Sequence, residues 1–304
     1  MHHHRYHSFR QRGGDLNRND DFHGQPAVNL LTSAGDRATV LLHGAHVVSW
    51  IPAGGDERLY LSERSAYGNG HAVRGGVPVI FPQFNQRGPD FSLPRHGFAR
   101  TRRWQVKEDG VTAGSADTAS VELMLLDDAD TRAMWPHPFS LSLTVSLGAH
   151  CLDLALRVAN TGASALAFTA ALHTYLRVAD IAQASVRGLQ GVRCLDTVGN
   201  VGNAGSVGAD ADADLTFQGE TDRIYYEVPG PLSLLAPDGV LEVAMEGFRD
   251  VVVWNPWADL SATLPDMPDD GYRRMLCIEA ATIDQPVRLD AGRSWLGRQT
   301  LTAR

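Results

Sequence analysis

The chain predicts an antiparallel all-β sandwich, and three observations carry that expectation. Apolar and polar residues alternate with period two, strictly so in Phe139-Ser-Leu-Ser-Leu-Thr-Val-Ser-Leu147. Turn residues punctuate nearly every such run. Long segments of helical period are missing, which argues against an α/β fold.

The elements follow in order. Short strand-like runs occupy 38–42, 46–51, 58–61 and 120–126. Phe139 to Leu147 is followed by Leu152, Leu154, Leu156 and Val158, with Gly148-Ala149-His150 between them, and this reads as a hairpin of two half-buried strands. Further runs lie at 240–245, 250–254, 275–280, 287–290 and 295–301. Residues 128–138, with charges, Trp135 and two prolines, read as an edge connection. The Gly-, Ala- and Asp-rich stretch 198–214 reads as an exposed loop within one domain, because strand patterns flank it on both sides. The polar start, with His2, His3, His4 and His7, reads as a disordered tail over residues 1–24. Residues 25–304 then form a single domain, which 304 residues allow for a large β fold.

Composition narrows the partners. A hydrophobic fraction of 43% and a charged fraction of 20% are those of an ordinary globular protein. The net charge of −8 disfavours nucleic-acid phosphates and anionic membrane faces. An anionic small molecule must therefore be drawn in by placed arginines. Three cysteines, Cys151, Cys194 and Cys277, lie far apart, which argues against a disulfide framework or a zinc site and suits a reducing cytoplasm. No apolar run of spanning length occurs.

Six segments carry residues suited to chemistry. Arg74-Gly75-Gly76-Val77-Pro78 joins an arginine to two glycines, so backbone N–H groups and a guanidinium can face one phosphate. It is equally a glycine turn with a solvated arginine. His96-Gly97-Phe98-Ala99-Arg100 puts a histidine and an arginine four apart, on one face if the segment is extended. Its bland alternative is a core histidine and a surface ion pair. His173 follows the apolar run 166–172 and titrates near neutrality in its unperturbed state. Glu279 lies inside Met275-Leu-Cys-Ile-Glu-Ala-Ala281, where a carboxylate is costly to bury without a partner; the structural alternative is an ion pair with an arginine such as Arg273. Asp222, in Thr221-Asp-Arg-Ile-Tyr225, can accept bonds from sugar hydroxyls or cap a turn. Trp254 and Trp257 suit either a sugar face or the core.

Phosphate clamps, a histidine and a glutamate are the parts for acid–base chemistry on a phosphorylated sugar. A metal set of His96, His173 and Glu279 is the weaker reading, since no H-x-H spacing supports it. P-loop, Rossmann and G-x-S-x-G signatures are absent.

Taken together, RGGVP, FPQF, LPRHGFAR, LHTYLRVADI, TDRIYYEVPG, VVVWNPW and DMPDDGYRRMLCIEAA resemble, in order, the hexose-6-phosphate mutarotases of the galactose-mutarotase-like group. The resemblance runs from about Val28 to Thr302 and implies an antiparallel β-supersandwich with few helices. It also implies an isomerase that interconverts the anomers of an aldohexose 6-phosphate as a monomer, with no cofactor and no metal. By the same resemblance His173 is the general acid and Glu279 the general base. His96 assists at the ring, Asp222 holds hydroxyls, Arg74 and Arg100 hold the phosphate, and Gln83 lines the pocket.

Overall fold

Alternation of the kind seen at Phe139–Gly148 builds one wall of the molecule. In the computed structural model, which describes residues 20–68, 70–86, 93–113, 117–198, 205–207 and 213–304, the apolar residues of that strand are buried and the serines and threonine between them half-buried. The strand pairs with Cys151–Asn160 through a two-residue turn. Ala149 and His150 both take positive φ, 50° and 59°, the left-handed geometry that matches strand twist in tight hairpins. These strands lie within a nine-stranded antiparallel sheet whose central members are Gly239–Glu246, Ser294–Ala303, Cys151–Asn160, Phe139–Gly148 and Thr118–Leu126.

A second, eight-stranded sheet carries the chemistry-bearing segments. Thr221–Tyr225, Asp250–Asn255, Met275–Leu289 and Leu166–Leu172 are neighbours in it, with Tyr175–Arg177 also paired to Met275–Leu289. Phe81 and Phe168 on this side meet Phe139 and Trp295 of the nine-stranded sheet, with ring centroids 5.3–5.6 Å apart across the contacts Phe81–Phe139, Phe168–Trp295 and Phe81–Phe168. One apolar cluster, reaching from Val28 to Leu301, fills the space between the sheets. A four-stranded sheet begins with Asp20–Phe22 paired to Gln25–Leu31, so ordered pairing starts inside the stretch expected to be a tail; residues 1–19 lie outside the described residues. The predicted strand at 58–61 is instead a pair of isolated bridges, Leu59 to Leu176 and Leu61 to Gly75. Within 128–138 there is a short helix, Ala129–Met134, begun by a capping box in which Asp128 accepts from the Thr131 N–H. Most of the loop read at 198–214 lies outside the described residues, but Gly205–Val207 pairs with Cys194–Asp196 as a strand.

Met275–Leu289 explains why Glu279 stands in an unbroken apolar run. Side chains alternate across a strand, so even and odd positions face opposite ways. Leu276, Ile278 and Ala280 join the inter-sheet core, whereas Cys277, Ala281 and Ile283 belong to two smaller clusters on the outer face. Both faces are covered, and Glu279 belongs to the outer one.

Candidate active site

Register assembles the site on that outer face. Leu172 pairs with Ala280 and Tyr175 with Cys277, and the same register sets His173 opposite Glu279. Val252 pairs with Glu279 and Ile224 with Val252, while Asp222 pairs with Trp254 and Trp254 with Cys277. Two rows result: Ile224, Val252, Glu279, His173 and, one step along, Asp222, Trp254, Cys277, Tyr175. Directly opposed side chains on one sheet face stand about 5 Å apart, close enough to interact. His173 Nε2 lies 3.3 Å from Glu279 Oε1, and the Tyr175 ring stacks on the imidazole at 4.9 Å and 13°. Arg273, by contrast, sits over the Tyr272 ring, so the expected alternative partner of Glu279 is excluded.

The glycine segment folds close against its neighbours. Gly76 N–H donates to the Tyr60 carbonyl at 2.7 Å, and Gly76 takes a φ of 58°, where a Cβ would run into the Val47 carbonyl oxygen. His46 holds the loop from behind: its Nε2 donates to the Gly75 carbonyl at 2.7 Å, and burial pushes its pKa down to about 4, so it stays neutral. Arg74 is thereby delivered to the cavity, with Nε 3.1 Å from Asp266 Oδ1 and Nη1 donating to the Tyr175 hydroxyl at 3.1 Å.

The segment 96–100 is not extended, so the condition for His96 and Arg100 to share a strand face is not met. His96 and Gly97 both take left-handed φ, 67° and 66°, and Ala99–Thr101 is a 3₁₀ turn. The physical reason is close approach: Gly97 lies so near the Phe81 carbonyl that a side chain there would clash, and the chain must turn at that point. A non-glycine residue with such a φ is strained by about 1–3 kcal/mol, a cost found where a side chain has to be aimed. Here it aims His96. The Asn85 N–H donates to His96 Nδ1 at 3.2 Å, which leaves Nε2 as the protonated, donating nitrogen of the neutral ring. The His96 and His173 rings meet edge to face at 5.5 Å.

These groups line a cavity of about 260 Å³. Arg74, Arg95, His96, Arg100, His173 and Glu279 form its polar side, and Asp222 also lines it; Ile224, Val252, Trp254, Leu260 and Leu264 form an apolar side. Trp254 thus faces the cavity, while Trp257 packs on Tyr272. Gln83 does not line the cavity. It is buried behind it, with Nε2 3.4 Å from the Asn85 carbonyl, because the next residue, Phe84, takes the cavity-facing position. A larger cavity of about 440 Å³ opens on the opposite face of Thr221–Tyr225, but its charges are matched internally, Arg223 with Asp196 at 3.0 Å and Asp214 with Arg187 at 2.9 Å.

The perturbed titratable groups Glu279, His173 and His96 all line the smaller cavity. Burial pushes the Glu279 carboxyl well above the usual carboxylate range, and the Asp222 charge adds to it. Burial pushes the His173 imidazole well down, helped by the charges of Arg100 and Arg74. Burial, then His173 and Arg100, push His96 down as well. Among the described residues, Glu279 Oε2, His173 Nδ1 and Arg100 Nε are buried with no hydrogen-bond partner, a costly arrangement that a ligand's polar atoms relieve. The donor atoms of His173, Cys277 and Glu279 lie within 4.8 Å of one another, the set nearest to a metal site among the described residues. It fits a cation poorly: burial raises the Cys277 thiol pKa well above its usual value, and three arginines share the cavity.

Sequence reasoning missed Arg95, Tyr175 and Asp266. Arg95 adjoins His96, and Tyr175 shares a strand face with His173 by simple alternation, so both carried a local signal. Asp266 opens the motif DMPDDGYRRMLCIEAA, but nothing local links it to Arg74, 192 residues away.

Comparison with known proteins agrees with this geometry. The family model described as aldose 1-epimerase matches residues 27–302. A protein of Cenchrus ciliaris provisionally named glucose-6-phosphate 1-epimerase is 34% identical over 273 residues, 88% of this chain and 81% of its own. One of Escherichia coli K12 with the same provisional name is 38% identical over 249 residues, 81% of this chain and 79% of its own. The crystal structure of a provisionally named mutarotase from Salmonella typhimurium superposes with a TM-score of 0.84 at 30% identity, covering 96% of this chain and 93% of that one. With the match running through both sheets and every strand that feeds the cavity, the chain belongs to the aldose 1-epimerase family.

Proposed function

We propose that this isomerase interconverts the α and β anomers of an aldohexose 6-phosphate, glucose 6-phosphate foremost, by acid–base opening and reclosure of the ring. The observation that carries the reading is the placement of Arg74, Arg95 and Arg100 in one small cavity with the His173–Glu279 pair, in a chain whose net charge is −8. Arginines bind phosphate oxygens in bidentate fashion, and three of them offset the unfavourable overall field. The names of the relatives in Cenchrus ciliaris and Escherichia coli support the same substrate.

Glu279 takes the proton of the anomeric hydroxyl while His173 gives one to the ring oxygen. The ring C–O bond opens to an aldehyde, the C1–C2 bond rotates, and closure on the other carbonyl face yields the second anomer, with the two roles exchanged. Each positioned proton transfer is worth roughly 10²–10⁴ in rate. Burial disfavours charge on both partners, pushing the Glu279 carboxyl up and the His173 imidazole down, so the two compete for one proton. Burial is the main cause that depresses His173; a phosphate dianion at the arginines offsets the further contribution of Arg100 and Arg74 and so moves the shared proton toward the imidazole. His96 Nε2–H donates to a ring or hydroxyl oxygen, Asp222 accepts from hydroxyls, and the apolar wall at Trp254 covers a C–H face. On this reading residues 25–304 act as one catalytic domain, a monomer in the cytoplasm, on a small molecule alone.

The test is magnetisation transfer between the anomeric protons of glucose 6-phosphate and of glucose, against spontaneous exchange. Faster exchange on the phosphate with a much smaller effect on glucose supports the reading. Equal acceleration of both sugars rejects the phosphate assignment. Ligand-induced shifts without exchange would make the chain a sugar-phosphate binding protein.

A further inference from the structure

Tyr175 and Asp266 have no part in the acid–base scheme, yet they are joined to it by a continuous chain of contacts. Asp266 pairs with Arg74 Nε at 3.1 Å, Arg74 Nη1 donates to the Tyr175 hydroxyl at 3.1 Å, and the Tyr175 ring lies flat on His173 at 4.9 Å. Arg74 is three-quarters covered and Asp266 about as much, with side-chain exposures of 23% and 29%. The far end is anchored: Ser62 Oγ donates to the Asp266 carbonyl at 2.6 Å, and the next residue, Met267, is fully buried against Tyr60, Tyr175 and Cys277. The three arginines are therefore not equivalent. Arg100 keeps a buried Nε with no partner, whereas two of the Arg74 donors are engaged within the protein.

Resting on the reading of His173 as a proton donor, we propose that Asp266 is a positioning residue for His173. It fixes the Arg74 guanidinium, which fixes the Tyr175 hydroxyl, and the Tyr175 ring then holds the imidazole in the plane that faces Glu279. Stacking restricts rotation of the imidazole about its Cβ–Cγ bond, a torsion that is otherwise broad. Rate in such a site depends on the proton-bearing nitrogen being held at the reacting atom, and displacement of about 1 Å costs up to roughly a hundredfold. Because the chain runs on past Arg74 to His173, its effect is felt by any sugar that reacts in the site, phosphorylated or not.

The experiment compares wild type with Asp266→Asn, Asp266→Glu, Tyr175→Phe and the Asp266→Asn/Tyr175→Phe pair, using anomer exchange on glucose 6-phosphate and on glucose. Asp266→Asn and Tyr175→Phe are each expected to lower kcat about tenfold, with KM for glucose 6-phosphate changed by less than about twofold and kcat/KM for glucose reduced by the same factor as kcat. The double variant is no worse than the poorer single one, since both break one chain, and Asp266→Glu recovers part of the loss. A loss confined to KM for glucose 6-phosphate, or additive losses in the pair, overturns the proposal. A second readout separates it from the function itself: the ring-nitrogen NMR signals of His173, assigned with His173→Asn, shift in sugar-free Asp266→Asn. Unmoved signals reject the positioning role whatever the activity. Shifted signals in a wild type that exchanges neither sugar keep the positioning role and reject the acid–base reading.

Discussion

His173, between the strands Leu166–Leu172 and Tyr175–Arg177, faces Glu279 of the adjacent strand with Nε2 and Oε1 3.3 Å apart, and each has a second polar atom, Nδ1 and Oε2, buried without a partner among the described residues. Opposed register sets their separation, and burial on both faces of Met275–Leu289 sets their protonation.

Stability and activity should part company at Glu279. A buried carboxyl with one oxygen, Oε2, unpartnered among the described residues is a liability to the fold, and Gln keeps its shape while removing the group that titrates. Glu279→Gln is expected to leave the thermal midpoint unchanged or higher, read by calorimetry near neutral pH. A drop of several degrees would mean that the carboxylate is a structural ion-pair partner.

Acid should destabilise the empty protein. Unfolded histidines take up protons below about pH 6.5, whereas His46, with its pKa pushed down to about 4, and His96 and His173, pushed down as well, do not. The unfolded state then binds more protons, so stability falls with falling pH, and for His46 the window runs from about 6.5 to about 4. Glu279 and Glu57, whose pKa values burial raises, work in the opposite sense, since the native state keeps protons there that the unfolded chain has released. Three histidines outnumber them. Urea midpoints at pH 7 and pH 5 check the sign, and a higher midpoint at pH 5 would contradict it.

Arg100→Ala should act mainly on binding of the phosphorylated sugar. Losing a charge-assisted contact of about 1.5–3 kcal/mol raises KM for glucose 6-phosphate about tenfold to a hundredfold and leaves glucose nearly unaffected. Steady-state kinetics on the two sugars decide this, and a parallel loss on both would remove Arg100 from the phosphate.

Gly97→Ala should damage the fold. The added Cβ meets the Phe81 carbonyl at a left-handed φ of 66°, so a loss of at least roughly 2 kcal/mol is expected in urea unfolding. A neutral result would show that the 96–97 turn relaxes freely.

The outcome of sequence reading divides along physical lines. The hairpin at Phe139–Gly148 and the sheet strands were legible because alternation is a local property. His173 and Glu279 stood out because a titratable group in an apolar run is anomalous wherever it occurs. Whether 96–100 is extended stays open in the sequence, since the cause of the turn at His96–Gly97 is the Phe81 carbonyl, which approaches from another segment. Gln83 was placed one residue out of phase with the cavity-facing Phe84. Asp266 opens the motif DMPDDGYRRMLCIEAA, but its partnership with Arg74, 192 residues away, is not legible from the sequence.

The most direct test of the central claim is anomer exchange on glucose 6-phosphate with wild type, Glu279→Gln and His173→Asn, measured by saturation transfer with ligand binding followed in parallel. Loss of at least roughly a hundredfold in each variant, with binding largely retained, is the predicted result. Exchange at near wild-type rate in Glu279→Gln would contradict the account.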